Sequence, residues 1–336
     1  MSSQDKTKIC VIGAGAIGGY LGVRLANSGA LVSVLARGQT LQSIKERGWI
    51  LEDGQQRMVA KVNAASDAAE LGPQDIVIIS VKAHALADIA AMVPALCHAQ
   101  TMIIPAVNGI PWWFTQGLDN ADLPGQLDAL DPQGLIAHAV DTQRIIGCVV
   151  YPSCYSPEPG VSHHSSGNRL VFGEISRHAQ AADPARVDHV VSLFSAAGLA
   201  AEKTPDIRTA VWEKLLGNAC FNPVSMLTGS STDLMIDDAD INRLFVALMT
   251  EVIAVGAAMN IRVSVTPQQR LAVTRKLGGV KTSMLQDAEA GRPVEIDAIL
   301  GAFVELAAGL GIATPTADTI YALARMRART FGLLKH

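Results

Sequence analysis

The chain has 336 residues, enough for about two domains and a large core. Apolar residues make up 49% and charged residues 17%, which excludes a disordered chain and a disulfide-held miniprotein. Lys and Arg number 27 against 31 Asp and Glu, a formal charge of -4, leaving no electrostatic footprint for nucleic acid or an anionic membrane.

In chain order, the stretch from Met1 to Lys8 is polar and lacks the pattern of a signal peptide, which predicts a cytoplasmic protein. Short β-branched runs at 9–13, 32–36, 76–81 and 102–107 alternate with Ala-rich helical stretches, the signature of a parallel sheet covered by helices. Residues 49–52 and 58–62 flank Asp53-Gly54 and predict an inserted hairpin. Residues 89–118 carry no charge, but Pro94, Pro105, Asn108 and Pro111 interrupt them, so they read as helix, buried strand and loop, not a membrane span. Runs at 145–151 and 169–172 bracket a Pro/Gly/Ser-rich segment, 152–167, expected to be a turn-rich extension of the sheet.

From Pro205 onward the period is helical almost to the end. The expected fold is therefore α/β: an N-terminal Rossmann-type, doubly wound domain over 1–204 and an all-helical domain over 205–336. Cys10, Cys97, Cys148, Cys154 and Cys220 form no CxxC pair and predict reduced, buried thiols. Tandem His163-His164 lacks further ligands at metal spacing, so no metal site is expected. Arg325, Arg327, Arg329 and Lys335 suit a solvated last helix.

The first strand runs into Gly13-Ala14-Gly15-Ala16-Ile17-Gly18 and then a helical stretch. This context makes the glycine motif a dinucleotide-binding fingerprint. Gly13 serves the tight turn, Gly15 lets the backbone approach a pyrophosphate, and Gly18 lets helix and sheet pack closely. No acid follows between Tyr20 and Ile44 to hold ribose hydroxyls. The second strand ends instead at Arg37, whose guanidinium suits a 2′-phosphate, so the expected cofactor is NADP(H). An ordinary solvated arginine at a strand end is the alternative.

A dinucleotide domain followed by a helical one predicts an oxidoreductase whose second domain holds a proton donor. Lys214, Asn218 and Asn222 are spaced i, i+4, i+8, placing an ammonium and two amides on one helix face within the apolar run that ends at Pro223. Reducing a 2-keto acid requires a positioned acid at the forming alkoxide, and a partly desolvated lysine meets that need. From spacing alone, a solvated lysine with two surface amides is an equal reading.

The glycine motif with Arg37, Val81-Lys82, Val107-Asn108-Gly109, the run from Lys214 to Pro223, Ser283-Met284-Leu285-Gln286-Asp287 and Glu295-Ile296-Asp297 together resemble the ketopantoate reductase family, in family order over nearly the whole chain. The resemblance implies NADPH-dependent reduction of 2-dehydropantoate to pantoate, a step towards pantothenate and coenzyme A. It makes Lys214 the proton donor, Asn218 and Asn222 substrate ligands and Ser283 a ligand of the substrate carboxylate. It puts Asn108 between nicotinamide and substrate, Glu295 near the nicotinamide ribose and Lys214, and Lys82 against the cofactor.

Two departures stand out. Where the family usually has a further substrate-contacting Asn, this chain has Ser230-Ser231-Thr232-Asp233, so Thr232 is the expected substitute. After Asn108-Gly109 come Trp112, Trp113 and Phe114; lining the substrate site, they would favour a bulkier 2-keto acid, and packed in a core they would say nothing of the substrate. A non-catalytic NADP-binding regulator is the reading from another class, and it has no use for Lys214, Asn218, Asn222, Ser283 and Glu295. The expected partner is a small 2-keto acid, with no nucleic acid and no membrane; a homodimer is compatible with the sequence.

Overall fold

The computed structural model describes residues 6–118, 122–175 and 183–334; most of the polar N-terminus and Lys335 lie outside them. The chain forms two compact units, Met1–Val107 with Gly134–Ile207, and Asn108–Gln133 with Arg208–His336. The main change of unit, between Ile207 and Arg208, lies three residues from the boundary expected at 204, and the difference is that 108–133 groups with the second unit. The segment 108–133 folds with the second unit because its polar backbone is satisfied there. Glu305 accepts from Asp128 N (2.7 Å) and Ala129 N (2.9 Å), Ile110 N donates to Ala298 O (2.9 Å), and Arg208 donates to Phe114 O (2.8 Å) and Gln116 O (2.6 Å).

The first unit begins β1 (Lys8–Ile12), α1 (Ala16–Asn27), β2 (Leu31–Leu35), α2 (Gly38–Arg47), β3 (Trp49–Asp53), β4 (Gln56–Ala60), β5 (Asn63–Ala65), β6 (Gln74–Ile79), α3 (Leu86–Ala90) and β7 (Cys97–Pro105). It resumes with α4 (Leu135–Ala139), β8 (Ile146–Val150), β9 (Ser153–Tyr155), β10 (Val161–Ser166), β11 (Arg169–Glu174), α5 (Pro184–Ala196) and β12 (Ala200–Lys203). Five strands make a parallel sheet in the order β5-β2-β1-β6-β7. Its central strands are buried on both faces, as Ile9, Cys10 and Val11 show, which is why they read as unbroken apolar runs.

The Asp53-Gly54 hairpin forms, with β3 antiparallel to β4. The segment 152–167 is more than a string of turns: it contains β9 and β10, and β10 pairs in parallel with β3 to build a second sheet, β4-β3-β10-β9. Trp49 of β3 is fully buried over Gly22 of α1, fastening this sheet to the first helix. His164 serves the same junction. Its ring stacks on Tyr20 of α1 and lies 2.7 Å from Asp53 Oδ1, and Asp53 also pairs with Arg24. Burial opposes the Asp53 charge, but His164 and Arg24 prevail and hold its carboxyl below the usual range. A third sheet, β12-β11-β8, packs on α5 through Phe172 and Phe194.

The second unit is helical: α6 (Ile207–Thr228), α7 (Thr232–Asp237), α8 (Ala239–Ala258), α9 (Pro267–Arg275), α10 (Ser283–Glu289), a π-helical turn at Asp297–Gly301, α11 (Ala302–Gly309) and α12 (Pro315–Thr330). Among the described residues α8 alone is long and apolar enough to cross a membrane, by length and composition; its Phe245, Leu248, Met249 and Val252 are fully buried in this unit. Glu251 of α8 accepts from Thr316 N and Ala317 N, both at 2.9 Å, and so caps the start of α12. Replacing Glu251 by Ala leaves those donors unpaired and should cost about 1–3 kcal/mol. A urea midpoint that falls with an unaltered m-value is the expected result, and an unmoved midpoint would refute the cap's contribution.

Candidate functional site

Each unit carries one cluster of the residues singled out above. In the first, a cavity of about 510 Å³ is lined by the β1–α1 turn (Gly13, Ala14, Gly15), Arg37 and Thr40 at the start of α2, Val81, Asp88 and the turn 156–160, a size that suits a cofactor-scale ligand. Gly13 has φ +101°, and a Cβ there would lie 2.8 Å from Val81 Cγ1, so only glycine fits. A Cβ on Gly18 would strike the Gly13 carbonyl, which also accepts from Ser80 Oγ (2.8 Å). Gly15 precedes α1 with nothing within 4 Å of where its Cβ would stand. The first turn of α1, opened by Ala16 and Ile17, carries no acid, which leaves its N–H groups and the helix dipole for an anion.

Arg37 immediately precedes α2, and its Nη1 is 4.0 Å from Asp88 Oδ2 in an exposed pair, the kind that holds an arginine only weakly. Backbone donors at one side and a guanidinium at another fit the phosphates of a dinucleotide. Lys82 is half-buried and is not part of the wall, which takes in Val81 and Ala85 instead. Thr40, Asp88, Met92 and the turn 156–160 are wall residues that sequence reasoning missed. For Thr40 the signal was there, three residues beyond Arg37 in the first turn of a helix; for 156–160 there was none.

The second cluster centres on one atom. Asn108 Oδ1 accepts from Lys214 Nζ and from Asn218 Nδ2, each at 3.0 Å. Two donors on one oxygen fix the Asn108 amide with its NH₂ group turned away from α6. Asn222 lies one turn further along and is buried, and Leu215, Leu216, Ala219 and Cys220 around this face are buried as well. Helix α6 continues through Pro223, which has no N–H to give the Ala219 carbonyl.

Asn108 is held from the other side too. Gly109 has φ +79°, a Cβ there would collide with Ala298 O, and Ile110 N bonds that same carbonyl. Ala298 belongs to the π-helical turn, a rare local geometry that tends to mark functional segments. Asp297 in this turn accepts from Tyr321 Oη (2.6 Å) and pairs with Arg325 (3.3 Å). Burial and the Asp297 carboxylate push the Tyr321 hydroxyl above its ordinary range, keeping it a donor. Glu295 is half-buried at the head of this turn, its carbonyl accepting from Ile299 N (3.1 Å).

Ser283 is the exposed first residue of α10, which Thr282 caps through Leu285 N (3.2 Å). Thr232 takes a different part from the one expected. It is buried, its hydroxyl donates to Gly278 O (3.0 Å) and accepts from Val280 N (3.3 Å), so it ties α7 to the 278–280 loop and its one proton is already committed. Of the two readings of the aromatic cluster, core packing is the one found. Trp112, Trp113 and Phe114 are 2%, 0% and 0% exposed; Phe114 stacks on Trp212 at 5.6 Å, and the Arg208 guanidinium lies over Trp113. They are the core of the second unit. Among the described residues no group of three or more His, Cys, Asp or Glu side chains could hold a metal ion.

Comparison with known proteins agrees with this layout. The family model "Ketopantoate reductase PanE/ApbA" matches residues 9–177, and its C-terminal companion matches 206–328. A 2-dehydropantoate 2-reductase of Mesorhizobium japonicum is 39% identical over 95% of this chain and 97% of its own length. A solved chain from Ralstonia solanacearum MolK2, assigned to the ketopantoate reductases, is 42% identical with a TM-score of 0.91, covering 97% of this chain and 99% of that one. The 2-dehydropantoate 2-reductase of Geobacter metallireducens GS-15 is 27% identical with a TM-score of 0.83, covering 95% and 99%. With its glycine loop, its α6 lysine and its two matched regions accounted for, the chain belongs to the ketopantoate reductase family.

Proposed function

We propose that the protein reduces 2-dehydropantoate to pantoate with NADPH. The observation that carries this reading is the Asn108 oxygen shared by Lys214 and Asn218, because it aims an ammonium without neutralising it. The nicotinamide, when bound, supplies hydride to the carbonyl carbon. Lys214 stabilises the oxygen that gains charge and gives it a proton, so the ketone leaves as a hydroxyl. Asn218 and Asn222 suit the substrate's polar groups, since amides donate without adding a fixed charge. By the family pattern Ser283 binds the carboxylate and Glu295 keeps Lys214 charged, a favourable pairing for a desolvated ammonium.

Trp112 and Trp113 lie in the core of the second unit and so lend a bulkier 2-keto acid no support, while Thr232, bound to its own loop, leaves the substrate's polar groups to Asn218 and Asn222. A regulator without chemistry leaves the Lys214 cluster unexplained.

Arg37 is the group that selects NADPH over NADH. A guanidinium–phosphate bond contributes roughly 1.5–3 kcal/mol, so Arg37→Ala should weaken NADPH about tenfold to a hundredfold and NADH hardly at all. Fluorescence titration with both dinucleotides checks this; equal losses would remove the role. The reading as a whole is tested by incubating the protein with NADPH and ketopantoate and assaying pantoate, whose absence would overturn it.

A further inference from the structure

The dinucleotide cavity has one wall that neither the glycine motif nor Arg37 accounts for. The turn between β9 and β10 contributes Ser156, Pro157, Glu158, Pro159 and Gly160 to it. This turn is braced. Ser43 Oγ of α2 donates to Pro159 O (2.7 Å), Arg47 donates to Pro159 O (3.2 Å) and pairs with Glu158 (2.8 Å), and Ser162, at the start of β10, donates to Gly15 O (3.3 Å). The turn is thus fixed both to the helix that follows Arg37 and to the glycine loop. Within it, Ser156 Oγ is shut off from solvent and has no hydrogen-bond partner among the described residues.

A buried hydroxyl without a partner is unfavourable, and such groups commonly await a ligand. Of the other polar features of this wall, the α1 N-terminus and the Arg37 guanidinium suit anions, and its two carboxylates each face an arginine, Asp88 at 4.0 Å from Arg37 and Glu158 at 2.8 Å from Arg47. We propose that Ser156 is a cofactor-binding residue, turning about χ1 so that its hydroxyl donates to a phosphate oxygen of the dinucleotide, in the diphosphate or the 2′-phosphate. This inference rests on the dinucleotide reading of the cavity.

The test is fluorescence titration of wild type, Ser156→Ala and Ser156→Thr with NADPH and NADH, beside the melting temperature of each unliganded protein. Ser156→Ala should bind NADPH about tenfold more weakly, as for a lost bond to a charged acceptor, while Ser156→Thr, which keeps the hydroxyl, should stay within about threefold of wild type by the same reasoning. A parallel loss for NADH assigns the diphosphate; a loss confined to NADPH assigns the 2′-phosphate. The unliganded Tm of Ser156→Ala should hold or rise, because an unpartnered polar atom has been removed. Unchanged affinity for both dinucleotides, or a weakened affinity with a fallen unliganded Tm, overturns the proposal. Wild-type protein that binds neither dinucleotide overturns the cofactor reading itself.

Discussion

Lys214→Ala is expected to lower kcat for ketopantoate reduction by about a hundredfold to ten-thousandfold, the scale of a lost general acid. The affinity for NADPH should barely change. The reason lies in what the lysine touches: its Nζ bonds Asn108 Oδ1 within the second unit, whereas the glycine loop and Arg37 belong to the first. An interaction made chiefly in the transition state shows in kcat and not in cofactor binding. Steady-state kinetics with a parallel NADPH titration separate the two, and a variant with near-normal turnover would contradict the assignment.

The second large effect is on stability. Trp112 is 2% exposed and lies in the segment that joins the second unit. Trp112→Ala should cost about 3–5 kcal/mol, as expected for deleting a buried aromatic ring. The preference between phenylpyruvate and ketopantoate, measured as a ratio of kcat/KM, should stay the same. Urea unfolding gives the first quantity and initial rates the second. A variant of wild-type stability whose substrate preference had shifted would restore the bulkier-acid reading.

These contrasts show which features local sequence can specify. The glycine loop and the Asp53-Gly54 hairpin rest on neighbours within a few residues, and the strands of the parallel sheet on local apolar runs; all are found within a few residues of their expected positions. The i, i+4 spacing likewise sufficed to bring Lys214 and Asn218 to one face, where they meet at Asn108. Failures came where a distant partner decided the outcome. Trp112, Trp113 and Phe114 read equally as site lining or core, and the distant Arg208 and Ala298, which satisfy the backbone of their segment, settle it as core. The parallel pairing of β10 with β3 gives 152–167 its strands, and no local pattern announces it. Thr232 looked available for a substrate because Gly278 and Val280, which occupy its hydroxyl, are far along the chain. The wall residue Ser156 was invisible for the same reason.

The central claim is that the Lys214 cluster and the dinucleotide cavity serve one reaction, NADPH-dependent reduction of ketopantoate. Initial rates of NADPH oxidation by the wild-type protein with ketopantoate, 2-ketoisovalerate and phenylpyruvate test it most directly. The highest kcat/KM should belong to ketopantoate, because a site that hydrogen-bonds a substrate hydroxyl discriminates steeply against acids lacking it. A kcat/KM for phenylpyruvate or 2-ketoisovalerate above that for ketopantoate, or no oxidation with any of the three, would contradict it.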